Sequence, residues 1–193
     1  MPTLSSRFAL SLIGMPGGGK STVGRHLARR LNSVFVDTDT VIEGCIGGSI
    51  REFFEREGES RFRDIESREL GELIVGTPGV IATGGGIVLR SENRQLLRSD
   101  TVCIYLRSSP EELFRRLRHD TKRPLLQVLD PLSRLRELFA HRDPLYREAA
   151  HYVIETGRPS VSTLVHTILM RLELAGAIDF STIQTPTNVP SVP

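Results

Sequence analysis

Apolar residues gather in five short runs separated by longer amphipathic stretches. The runs fall at 8–13, 34–37, 80–83, 101–106 and 151–155, each rich in β-branched or aromatic residues and closed by turn-forming or polar ones. They read as strands. Between them the period changes: Val23, Leu27 and Leu31 recur every fourth residue within 21–31, the single apolar stripe of an amphipathic helix. The stretches 111–118 and 162–174 read the same way. Short apolar strands alternating with helices predict an α/β domain around a mostly parallel sheet. The segment 119–130 (HDTKRPLLQVLD) departs from this alternation, being polar at its start and carrying Pro124, which opposes an uninterrupted helix. A lid inserted into one domain spanning 1–178 is expected there. From about Asp179 the chain (DFSTIQTPTNVPSVP) has three prolines and little periodicity, so 179–193 is expected to be a loose tail.

Composition narrows the function classes. At 193 residues, 39% hydrophobic and 25% charged, the chain suits a single globular core. A formal charge of +2 gives no basic surface for nucleic acid. No run reaches the length of a membrane span, and the first residues lack the flanks of a signal peptide, so a cytoplasmic protein is expected. Cys45 and Cys103 stand far apart in no metal-ligand spacing, which argues against a disulfide framework or a zinc site and fits a reducing compartment. Among 25 Lys and Arg only Lys20 and Lys122 are lysine. Arginine presents a planar fork to phosphate and carboxylate, which points to an anionic ligand, although arginines on solvated helix faces would give the same count.

The strongest chemical signal is Gly14-Met-Pro-Gly-Gly-Gly19-Lys20-Ser21, which fits G-x-x-x-x-G-K-[ST] and sits between a predicted strand and a predicted helix. Glycines let backbone amides close around phosphate oxygens, and the helix N-terminus adds unpaired N–H groups and a favourable dipole. Lys20 is placed for the β- and γ-phosphates and Ser21 for Mg²⁺. Nucleotide binding follows, but neither the reaction nor the acceptor.

Other segments add chemistry. Asp37 and Asp39 sit at the carboxyl end of the second predicted strand, where open α/β sheets bind ligands. One could reach the water shell of Mg²⁺ and the other accept a proton from an attacking hydroxyl; a helix N-cap is the alternative for Asp37. Arg63 and Glu66 are neighbours on one helix face, a spacing that commonly gives a solvated ion pair. Gly84-Gly85-Gly86, directly after a strand, suggest close approach of backbone to a ligand or to the phosphate loop. Residues 107–147 carry ten Arg or Lys against six Asp or Glu, with Arg123 and Arg142 as the sharpest candidates. The five histidines form no cluster in sequence.

Taken together, GMPGGGKST, VDTD, SIREFFEREGESRFRDIE, ATGGG, KRPLL and HRDPLYREAA occur in an order that resembles the shikimate kinase family over most of residues 8–175. The resemblance implies a P-loop three-layer αβα fold of the nucleoside-monophosphate-kinase type, with a five-stranded parallel sheet in the order 2-3-1-4-5. It implies transfer of the ATP γ-phosphoryl to the 3-hydroxyl of shikimate, with Mg²⁺ as cofactor. Shikimate and ATP are then the partners, with no nucleic acid or membrane, and the enzyme is expected to be a monomer. Residue by residue, Gly17, Gly18, Gly19, Lys20, Ser21 and Thr22 would bind the phosphates. Ser21 would contact the metal, with Asp37 behind it through water. Asp39 would hold the acceptor hydroxyls and act as base. Arg63 and Arg142 would clamp the carboxylate, with Gly85 giving a backbone contact and Glu66 fixing Arg63. Ile50, Phe54 and Phe62 would wall the pocket. Lid residue Arg123 would meet the phosphates, and Arg116 would stack on the adenine. Near the adenine the chain departs from the family, with Val161 where a proline is usual. Rival readings are a gluconate or nucleoside-monophosphate kinase on the same scaffold, and a non-catalytic effector-binding module.

Overall fold

The computed structural model of the protein describes residues 3–4, 9–76, 79–118, 128, 130–157 and 159–179. Its elements run β1 (Thr3–Leu4), β2 (Ala9–Ile13), α1 (Lys20–Arg30), β3 (Val34–Asp37), α2 (Thr38–Ile46), α3 (Ile50–Gly76), β4 (Gly79–Ala82), α4 (Ser91–Asp100), β5 (Thr101–Arg107), α5 (Pro110–Leu117), α6 (Pro131–Ala149), β6 (Tyr152–Glu155), α7 (Val161–Leu174) and β7 (Ile178–Asp179).

The main sheet has the order β3-β4-β2-β5-β6 with every pair parallel, which is 2-3-1-4-5 when its own five strands are counted along the chain. β2 lies at the centre and all five of its residues are buried, because helices cover both faces. The two-residue period of a strand sorts its side chains. Leu10 and Leu12 join Ile104 and Leu106 of β5 in a core under α1 and α7, where Val23, Leu27, Leu164 and Ile168 pack. Ile13 and Tyr105 face the opposite side and meet Leu97, Leu113, Leu135 and Tyr146 from α4, α5 and α6. A third, smaller cluster of Ile42, Phe53 and Phe62 joins α2 to α3 beside the sheet.

Local signals explain the ends of several elements. Asp37 caps α2, its carboxylate accepting from the Asp39 N–H at 3.2 Å. Ser109 and Glu112 form a capping box around the start of α5, with Pro110 in its first turn. α3 bends at Gly58, whose φ of 81° and ψ of 169° break the helical run.

The five predicted strands and the helices over 21–31, 111–118 and 162–174 are all present within a residue or two of their expected ends. The tail expectation meets a difference at its first residue. Asp179 is not the start of a loose segment but belongs to β7, which pairs antiparallel with β1 through Thr3↔Asp179 and Leu4↔Ile178. Two-residue strands are too short to show a period, so their pairing leaves no pattern to read. Except for Val128 and Asp130, the expected lid over 119–130 lies outside the described residues, as do 180–193. Among the described residues no helix is long and apolar enough to cross a membrane.

Candidate active site

The phosphate loop connects the buried end of β2 to α1. Gly17 and Gly19 have φ of 79° and 89°, and a Cβ on Gly17 would stand 2.7 Å from Leu117, so both backbone strain and space reserve that position for glycine. Lys20 is buried in the first turn of α1, and its ammonium donates to the carbonyls of Gly14 at 2.8 Å and Met15 at 3.0 Å. These bonds hold the charge inside the loop's curl. Gly17, Gly19, Lys20, Ser21 and Thr22 line one cavity of about 450 Å³ together with Asp37, Asp39 and Arg116.

Ser21 and Asp37 meet across this cavity, the Ser21 hydroxyl donating to Asp37 Oδ2 at 2.6 Å. The N-cap reading of Asp37 holds, since one oxygen caps α2, while the other accepts from Ser21, the second residue expected at the metal. A hydroxyl and a carboxylate are hard oxygen donors, too few to enclose a cation. Among the described residues no cluster of three or more His, Cys, Asp or Glu adds to them. That donor set fits Mg²⁺, which binds few protein oxygens and keeps much of its water.

Asp39 follows in the first turn of α2. It is open to solvent yet lies deep in the cleft, where loss of surrounding water and the neighbouring Asp37 carboxylate raise its pKa above the ordinary value of 3.8, against the pull of Lys20. A carboxylate held above its usual range is a stronger proton acceptor when ionised.

The second cavity, about 600 Å³, lies between α2, α3, α6 and the turn after β4. The three glycines of that turn each accept a different neighbour. A Cβ on Gly84 would stand 2.6 Å from the Asp39 carboxylate, one on Gly85 would stand 2.7 Å from Pro16 of the phosphate loop, and one on Gly86 would strike the Arg63 guanidinium. The expected close approach to the phosphate loop is met at Gly85, while Gly84 and Gly86 pack against charged side chains instead.

Arg63 donates to Glu66 Oε2 at 2.6 Å. Glu66 is only 2% exposed, so this is a buried pair rather than the solvated one that its spacing suggests. Burial pushes the pKa of Glu66 up, partly opposed by Arg63. Burial also pulls the Arg63 pKa down, but Glu66 and Glu59 outweigh it and hold the guanidinium charged. Phe54 and Phe62 flank that guanidinium, with ring centroids 5.7 and 5.2 Å away, and with Ile50 they supply the apolar wall. Arg142 enters from α6 and donates through Nη1 to the Gly85 carbonyl at 3.1 Å. Its Nε is buried and finds no hydrogen-bond partner among the described residues.

These two cavities share three residues: Pro16, Asp39 and Gly85. A third hollow of about 220 Å³ continues past Gly17 and Gly18 between Arg116, Thr156, Pro159 and Val161. Arg116 is tied down there, donating to the Thr156 carbonyl at 2.5 Å and to Ser108 Oγ at 3.2 Å. Arg123 lies outside the described residues.

Comparison with known proteins agrees with this geometry. The family model described as shikimate kinase matches residues 16–173. The chain belongs to the shikimate kinase family. A shikimate kinase of Paracidovorax citrulli is 59% identical over 173 residues, covering 88% of this chain and 94% of its own length. One from Ralstonia nicotianae is 51% identical, covering 91% and 93%. Among solved structures, a shikimate kinase from Acinetobacter baumannii in complex with shikimate superposes with a TM-score of 0.81 at 43% identity, covering 87% of this chain and 93% of that one. A gluconokinase from Sinorhizobium meliloti reaches only a TM-score of 0.53 at 16% identity, which shows a shared fold and nothing more.

Within this shikimate kinase fold, three site residues escaped the sequence reading. Tyr146 donates to the Gly85 carbonyl at 2.6 Å, doubling the hold of Arg142 on that turn. It lies one helical turn beyond Arg142, so spacing alone would have put them on one face. Thr38 accepts from the Gly84 N–H at 2.9 Å and locks the turn to α2. Glu59 accepts from Arg63 Nη2 at 2.9 Å and Nε at 3.2 Å, and lies four residues before it.

Proposed function

We propose that the protein transfers the γ-phosphoryl group of ATP to the 3-hydroxyl of shikimate, giving shikimate 3-phosphate and ADP. The observation that carries this reading is that Asp39 lines both cavities, with Lys20 and Ser21 on one side of it and Arg63 and Arg142 on the other. Family membership and the likeness to the Acinetobacter protein solved with shikimate support the choice of acceptor.

The loop amides, Lys20 and Thr22 hold the donor phosphates, and Arg116 borders the nucleobase hollow. Arg63 and Arg142 clamp the acceptor carboxylate, Gly85 offers backbone to the ring substituents, and Phe54 and Phe62 cover one ring face. Asp39 then takes the proton of the 3-hydroxyl. That oxygen forms its bond to the γ-phosphorus as the bond to the bridging oxygen breaks, and the leaving electron pair goes to ADP. Ser21 and Asp37 would hold Mg²⁺, which would neutralise phosphate charge. Arg123, from the expected lid at 119–130, would add positive charge to the phosphates. The transition state is loose, so positioning and charge neutralisation do most of this work.

The same reading has the enzyme work as a monomer in the cytoplasm. The test is a coupled ADP-release assay with Mg-ATP and, in parallel, shikimate, gluconate and a nucleoside monophosphate. Turnover is expected with shikimate alone. Folded protein that binds ATP yet is silent with shikimate would overturn the reading.

A further inference from the structure

The two acidic partners of Arg63 differ in a way that its role as a carboxylate clamp does not require. Glu66, beneath it, has a side chain only 1% exposed and makes a single bond from Nη1. Glu59, above it, has a side chain 60% exposed and takes two bonds, from Nε and Nη2, on one oxygen. A guanidinium recognises a carboxylate through paired N–H groups of this kind. Both Glu59 and Arg63 line the acceptor cavity. The remaining face of the guanidinium packs on Gly86, where even a Cβ would not fit. The Nε–Nη2 edge carries the exposed partner, so it is the edge at which an incoming carboxylate can exchange, and Glu59 already holds it.

Glu59 also follows directly on the bend at Gly58, where α3 loses its helical run. Its side chain is thus anchored at the end of a break rather than within a rigid turn, and its carboxylate can leave Arg63 for water at small cost. Glu66 has no such exit.

We propose that Glu59 is an internal stand-in for the substrate's carboxylate. It holds Arg63 in place in the empty cavity and is displaced when the acceptor binds, so that binding is an exchange of one carboxylate for another. The exchange favours acids over uncharged polyols, because an acceptor without a carboxylate cannot repay the lost ion pair. It also keeps the Nε–Nη2 edge of the guanidinium paired beside Phe54 and Phe62, while Glu66 holds Nη1 throughout. This proposal rests on Arg63 being the acid clamp.

The test compares Glu59→Gln and Arg63→Ala with wild type, reading the KM for shikimate and for ATP separately. Arg63→Ala is expected to raise the shikimate KM; if it does not, the clamp reading itself fails. With the clamp established, Glu59→Gln is expected to lower the shikimate KM about two- to fivefold, the value of releasing a half-exposed ion pair, and to leave the ATP KM in place. A merely structural Glu59 would raise the shikimate KM or move both constants, and either result would overturn the proposal. Acetate gives a second readout. At constant ionic strength it should compete with shikimate more strongly against Glu59→Ala than against wild type, since it refills the edge that the deletion opens. Equal competition against both proteins would count against the exchange.

Discussion

The donor and acceptor cavities touch at Asp39 but are built by opposite means. The donor side takes half of its lining from one segment, Pro16 to Thr22, which contributes backbone amides, the Lys20 ammonium and the Ser21 hydroxyl. The acceptor side is assembled from a distance. Asp39, Arg63, Gly85 and Arg142 come from four separate parts of the chain and are held by side-chain bonds. A backbone cradle fits any triphosphate and stays the same whichever acceptor is used. Selectivity has to be written in the remote side chains, and there every member depends on another.

If the two sides are separable, substitutions should split their effects. Asp39→Asn, at the junction, carries the largest: turnover should fall by on the order of 10³, the loss of a general base, as read in the ADP-release assay. Arg142→Ala should raise the shikimate KM by roughly 10- to 100-fold, the worth of a charge-assisted bond, and change the ATP KM less than about twofold. Equal losses for both substrates would break the division. Gly86→Ala sharpens it, because the three atoms nearest the added methyl all belong to the Arg63 guanidinium. Thermal unfolding should show about 1–3 kcal/mol of destabilisation, together with a raised shikimate KM.

The smallest effect is on pH dependence. Asp39 works as a base only when ionised, and burial and Asp37 raise its pKa above 3.8. Activity should therefore fall, as pH is lowered, at a pH above the ordinary carboxylate range. The limb should appear in kcat while ATP binding persists across it. A kcat profile flat down to the ordinary range would contradict the assignment.

How much of this was legible in the sequence follows the same division. The phosphate loop could be read from spacing alone, because Gly17, Gly19, Lys20 and Ser21 act through local backbone geometry. The parallel sheet was legible from its apolar runs, since a strand buried on both faces can carry little else. Arg63, Arg142 and the glycine turn could be singled out from the sequence, but their joining into one acid site came only through the family resemblance, because nothing local shows that α6 reaches the turn after β4. The burial of Glu66 was hidden as well. Its spacing from Arg63 is that of a surface pair, and only the packing of α3 against the glycine turn removes it from water. Thr38 stayed hidden inside VDTD because its partner, Gly84, is 46 residues away.

Asp39 lines both cavities, and its proposed role is in the chemical step rather than in the hold on either substrate. Calorimetric titration of Asp39→Asn with ATP and with shikimate, beside its turnover, tests this most directly. The prediction is ATP affinity within about threefold of wild type, shikimate affinity within about tenfold, and turnover nearly abolished. A variant that still turned over, or one that lost ATP binding along with activity, would contradict it.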